Sequence, residues 1–102
     1  MATIYHVTTR QEWQEAQAKG QYESSSLAAE GFIHASEERQ IAGVLDRYFE
    51  GKSDLVRLEI NTELLTSPLY YDWSESVEDT FPHIYGPINL DAVVGVSEII
   101  KK

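Results

Sequence analysis

The 102-residue chain contains no cysteine. That excludes a disulfide framework, a thiolate nucleophile and a cysteine zinc site. Positive charge is scarce as well: 8 lysines and arginines stand against 17 acids, for a net charge of −9. Such a surface favours solubility and repels polyanions, so duplex nucleic acid is not an expected partner. A small anionic ligand stays compatible if an arginine lines its pocket. No apolar stretch approaches the roughly 18 residues of a membrane span. Met1-Ala2-Thr3-Ile4 lacks the basic and apolar regions of a signal peptide, so the expectation is a cytoplasmic protein without a membrane partner. Repeats, linkers and low-complexity segments are also missing. What remains has the composition of an ordinary globular chain, and its length suits a single domain over 1–102 with one core.

The β-rich start predicts a strand over 3–7, with Ile4, His6 and Thr8 on one face and Tyr5 and Val7 on the other. Thr9-Arg10-Gln11-Glu12 matches a capping box, and the helix it opens runs past Trp13 and Ala16 to Gly20. Residues 21–30 read as a loop with a helical turn at Leu27-Ala28-Ala29. Gly31-Phe32-Ile33-His34-Ala35-Ser36 reads as a buried strand, with Phe32, His34 and Ser36 on one side. Ser36 is then the N-cap of a helix over 37–50, whose Ile41, Val44, Leu45 and Tyr48 recur at helical spacing. Arg47 falls beside that stripe, where it suits a snorkelling surface residue or a ligand contact. Residues 55–60 alternate, with Val56, Leu58 and Ile60 facing a core and Arg57 and Glu59 facing outward or into a cleft. Asn61 caps a short turn over 62–65, and Pro68 blocks its continuation. A strand over 69–73, a polar loop over 74–80, a stiff shaped loop over 81–87 and a final strand over 91–100 complete the chain. The class is α+β: two main helices on a mostly antiparallel or mixed sheet, with parallel crossovers near the N-terminus left open.

The three histidines, His6, His34 and His83, all lie in apolar settings. Three imidazoles can bind zinc or iron, which gives a metal-dependent enzyme as one reading. Their spacing has no short ligand pair, however, and a histidine in an apolar strand also suits a hydrogen-bonded core position, so no metal is expected. Ser36 stands two positions after His34, but no nucleophile elbow surrounds it and capping explains it better. The third reading is a small-molecule pocket, with Thr8, Tyr85, Arg57 and Glu59 adding to the convergent polar groups.

Ile4-Tyr5-His6-Val7-Thr8-Thr9, Glu30-Gly31-Phe32-Ile33-His34-Ala35-Ser36 and Phe81-Pro82-His83-Ile84-Tyr85-Gly86-Pro87 resemble, in order and spacing, the three signature stretches of the bacterial domain of unknown function 952 family. Leu90-Asp91-Ala92-Val93 extends the likeness over nearly the whole chain. More distantly, Tyr5-His6-Val7-Thr8 is similar to the Tyr-His-Gly-Thr first strand of the ADP-ribosyltransferase fold, and Gly31 to Ser36 is similar to its glycine-led second strand. That resemblance implies a split, mostly antiparallel sheet with a cleft holding NAD or a related nucleotide. In it His6 would hold a ribose hydroxyl, His34 would orient a phosphate or second ribose, and Tyr85 would stack. Thr8, Ser36, Gly86 and Arg57 would complete the nucleotide contacts. His83 would join the catalytic set, and Glu59 is the candidate carboxylate for the cationic centre formed when ADP-ribose is cleaved or transferred. The position of the fold's stacking tyrosine holds Ile33 or His34 here, and no glutamate stands in the third stretch. The RNA 2′-phosphotransferase branch shares both departures, although the acidity of this chain opposes an RNA substrate. The alternative on the same fold is a non-catalytic small-ligand or protein-interaction module.

Overall fold

The computed structural model describes residues 2–99. Its elements in order are β1 (Thr3–Thr9), α1 (Arg10–Lys19), β2 (Gln21–Tyr22), α2 (Ser25–Glu30), β3 (Ile33–His34), α3 (Ile41–Tyr48), β4 (Leu55–Asn61), β5 (Leu69–Ser74), β6 (Asp79–Ile84), β7 (Ile88–Asn89) and β8 (Val93–Glu98). Single 3₁₀ turns lie at Glu38–Gln40, Thr62–Leu64 and Leu90–Ala92. The fold is α+β, and all strand pairings among the described residues are antiparallel. The strands form three sheets, ordered β1-β4-β8, β2-β7 and β3-β6-β5. Tyr5 and Ser36 exchange both backbone hydrogen bonds at 2.7 Å, which ties the first sheet to the third.

Strand alternation decides where the core sits. Ile4, His6 and Thr8 on β1 and Val56, Leu58 and Ile60 on β4 are buried toward one side. Ala16 of α1, Tyr22, Ile33, Ile84, Ile88 and Ala92 close that layer. Truncating one of its large members, such as Leu58→Ala, should cost about 2–5 kcal/mol. The opposite face of β1 and β4 presents Val7 and Leu55, and α3 covers them with Ile41 and Leu45. The box at Thr9 forms as the sequence predicts: its hydroxyl accepts from the Glu12 N–H at 3.1 Å, and Gly20 ends α1 in a left-handed conformation.

Several elements differ from the sequence reading, each for a local reason. The stretch 21–30 is a two-residue strand followed by a helix, not a loop. Its serines hid the helix, since they favour caps and turns when judged alone. Ser36 is no cap, because its backbone pairs with Tyr5; Glu37 caps instead, in a box with Gln40. The helix expected over 37–50 is therefore a 3₁₀ turn and the shorter α3. Residues 81–84 belong to β6, the central strand of its sheet, despite Pro82. The Pro82 carbonyl accepts from the Ala35 N–H at 3.0 Å, so its missing N–H faces the side where the two-residue β3 has already ended. The strand expected over 91–100 begins as a 3₁₀ turn at Leu90–Ala92 and is a strand only over β8, and its Ile100 lies outside the described residues.

Candidate functional site

His34 and His83 are directly paired across β3 and β6, so their rings meet edge to face with centroids 5.1 Å apart. Alternation places Phe81 and Tyr85 on the same face as His83. The neighbouring strand β5 brings Asp72 beside them, and its Oδ2 lies 2.8 Å from His83 Nδ1. The Tyr85 hydroxyl donates to the same oxygen. Hydrogen bonds from Tyr85 and His83 hold the Asp72 carboxyl below its ordinary value, and the Asp72 acceptor in turn raises the Tyr85 phenol. Glu30, at the end of α2, lies four residues before His34, and its Oε2 is 2.9 Å from His34 Nε2. Each of these two histidines thus has one nitrogen on a carboxylate. Phe32 stacks on His83 at 4.2 Å and fixes the ring plane.

His6 approaches from β1, buried behind this pair. Its Nδ1 donates to the His34 carbonyl at 2.5 Å, and its Nε2 lies 2.8 Å from the Tyr22 hydroxyl. Burial pushes the His6 imidazole down to about 4, which leaves the ring neutral at physiological pH. Burial also raises the Tyr22 phenol to about 12. Tyr22 donates to Thr8 at 3.0 Å, and Thr8 donates to Glu12 Oε1 at 2.5 Å. Burial pushes the Glu12 carboxyl up, but hydrogen bonds from Thr8 and Thr9 outweigh it and leave the group below its ordinary value.

Of these residues, His6, Thr8, Glu12, Tyr22, Glu30, His34 and His83 line one cavity of about 730 Å³. His6, Thr8, His34, Ser36 and His83 are brought together on its wall, with Ser24, Ser25, Ser26 and Ser74 adding hydroxyls and Tyr48, Trp73 and Phe81 adding aromatic surface. Its volume falls in the range of small-molecule sites, about 300–1,000 Å³. Among the described residues Lys52 is the single lysine or arginine on that wall.

Glu59, Arg57, Tyr85 and Gly86 are not on the wall. Arg57 and Glu59 lie on the α3 side of β4, opposite the buried Val56, Leu58 and Ile60. There the Arg57 guanidinium sits 4.7 Å over the Tyr5 ring, and Glu59 lies against Gly95. Tyr85 stands just outside, packed on Phe32 and Tyr70 and bonded to Asp72. Gly86 answers to packing, because a Cβ there would run into the Ser67 side chain. No group of three or more His, Cys, Asp or Glu among the described residues is placed to hold a metal ion. Four site residues escaped the sequence reading: Glu12, Tyr22, Glu30 and Asp72. Glu30 and Glu12 each carried a signal, at i,i+4 from His34 and from Thr8; Tyr22 and Asp72 depend on tertiary contacts that spacing does not show.

An antiparallel α+β domain with a histidine-lined cavity between its sheets is the class that fold and site define. The chain belongs to the family described as Protein of unknown function (DUF952), which it matches over residues 7–96. It is similar to protein CC0527 from Caulobacter crescentus. The crystal structure of that protein aligns with a TM-score of 0.90 at 31% identity, over 99% of this chain and 89% of the other. Its solution NMR structure aligns with a TM-score of 0.84 at 32% identity, over 100% and 88%. A search of curated proteins gives no match.

Proposed function

We propose that the chain binds a nucleotide of the NAD or ADP-ribose class in this cavity and transfers or cleaves ADP-ribose there. The observation that carries the reading is the convergence of His6, His34 and His83 on one cavity walled by serine hydroxyls and aromatic rings. Hydroxyl and imidazole groups suit ribose, and aromatic faces suit a base. The similarity of the β1 and β3 stretches to the ADP-ribosyltransferase fold supports the same ligand.

Breaking the N-glycosidic bond leaves its electron pair on the departing base and a cationic sugar centre behind. A carboxylate on the wall stabilises that centre. Glu59 is on the wrong side of β4 for this task, and Glu30 takes it. His83, oriented by Asp72 through Nδ1, accepts the proton of the attacking hydroxyl at Nε2. The scarcity of lysine and arginine on the wall favours a ligand with few phosphates over a polyphosphate.

A panel of melting curves tests this. NAD and ADP-ribose should each raise the melting temperature, by the equivalent of about 2.7 kcal/mol at one hundred times the dissociation constant. The shift should vanish in His34→Ala, whereas Glu30→Gln should keep it and lose the release of nicotinamide from NAD. Silence with every nucleotide at about millimolar levels would favour the non-catalytic interaction module on the same fold.

A further inference from the structure

The four groups His6, Tyr22, Thr8 and Glu12 form a continuous chain of three hydrogen-bond links, 2.8, 3.0 and 2.5 Å long. Counting hydrogens along it gives an unusual result. The His34 carbonyl can only accept, so the neutral His6 ring carries its hydrogen on Nδ1 and leaves Nε2 as an acceptor. With Glu12 ionised, the three links then share two hydrogens, one from Tyr22 and one from Thr8. One link has none. Adding a single proton fills all three.

That proton has two resting places. With it on His6, Nε2–H donates to Tyr22, Tyr22 to Thr8, and Thr8 to the Glu12 carboxylate. With it on Glu12, the acid donates to Thr8, Thr8 to Tyr22, and Tyr22 to the bare Nε2 of His6. Passing from the first state to the second breaks three N–H or O–H bonds and forms three, and the charges +1 and −1 become zero and zero. Neither tautomer leaves an acceptor in the chain unmet.

We propose that His6, Tyr22, Thr8 and Glu12 are a proton relay that binds one proton in common and carries it between the buried imidazole and the solvent-facing carboxylate. Glu12 is thereby a positioning residue for His6, acting through two hydroxyls. The inference does not depend on the nucleotide reading. The groups around the chain are accounted for: Glu12 and His34 act on His6 by charge, Thr8, Thr9 and His6 face Glu12, and Glu30, His83 and Lys52 stand elsewhere on the cavity wall. Among the described residues no buried side-chain polar atom lacks a partner.

Thr8→Val separates a relay from simple charge attraction. It removes the middle hydroxyl while keeping the Glu12 charge, and Thr8 makes no hydrogen bond to His6. The readout is NMR of the His6 ring nitrogens and the Glu12 carboxyl carbon from about pH 3 to about pH 8, spanning both ordinary pKa values. In the wild-type protein both nuclei should move at one common midpoint, each with partial amplitude, followed by a second common step at lower pH. In Thr8→Val each should titrate alone, in a single full step. Thr8→Ser restores a hydroxyl and should restore the common midpoint, which also controls for any loss of folding in the valine variant. Separate, full-amplitude midpoints in the wild-type protein would overturn the relay. So would a common midpoint that survives in Thr8→Val.

Discussion

Taking the His6 ring out of water disfavours its imidazolium form, and nothing on its wall compensates fully: the group falls from an ordinary 6.5 to about 4. Stability must follow. Between these two values the unfolded chain carries the His6 proton and the folded chain does not, so stability rises with pH across the window and is lost as pH falls from 6.5 toward 4. The size is about 3 kcal/mol, at roughly 1.4 kcal/mol per pKa unit. Urea unfolding at several pH values checks it, and His6→Asn should flatten the dependence above the carboxylate range. His34 behaves differently. Its side chain is 54% exposed, and His6 uses its backbone carbonyl, which any residue supplies. His34→Ala should therefore melt within about 1 kcal/mol of wild type, as exposed substitutions do, while losing nucleotide binding. A strongly destabilised His34→Ala, still binding in its folded fraction, would remove this residue from the site.

Elements that are amphipathic over their own length were legible in the sequence. The alternation of β4 and the capping box of α1 are properties of consecutive residues, and both strand face and helix start follow from them. A strand was legible at 31–36, but β3 is only two residues long and is held by partners far away in sequence, so its short extent and the Tyr5–Ser36 bridge left no local trace. The same applies to β6, where Pro82 argues against a central strand until the end of β3 beside it is known. The histidines themselves were legible as polar residues in apolar settings. Of their acidic partners, Glu30 was legible only in its i,i+4 spacing from His34, and Asp72 was not, because strand pairing and not spacing selects it. The turn at Glu38–Gln40 shows how such pairing is secured. The buried Gln40 amide donates to Asp79 and to the Thr80 carbonyl, each at 2.8 Å, and so clamps the β5–β6 hairpin that carries His83. Arg39 adds an exposed ion pair to Asp79, whose carboxyl it holds well below the usual range. Gln40→Ala should cost about 1–3 kcal/mol in urea unfolding, since it removes both hydrogen bonds of the buried amide. Arg39→Ala should cost under about 1 kcal/mol.

At the scale of the whole molecule, a net charge of −9 surrounds a cavity with one lysine on its wall. Long-range repulsion should slow the arrival of an anionic nucleotide. Raising ionic strength from about 0.01 to about 0.15 M shortens the screening length from roughly 30 to roughly 8 Å. The association rate measured by stopped flow should then rise, opposite to the fall seen for cationic clefts. Among the described residues no helix is long and apolar enough to cross a membrane. The antiparallel sheets, joined at Tyr5 and Ser36, bring histidines from three distant stretches onto one cavity. Titrating NAD into isotopically labelled protein, while watching side-chain NMR signals, tests the role of that convergence most directly. The ring signals of His34 and His83 should shift together and saturate with one dissociation constant, with the Arg57 side-chain signals on the far side of β4 unmoved. Unchanged histidine signals at saturating NAD, or shifts confined to the β4–β8 face, would contradict the account.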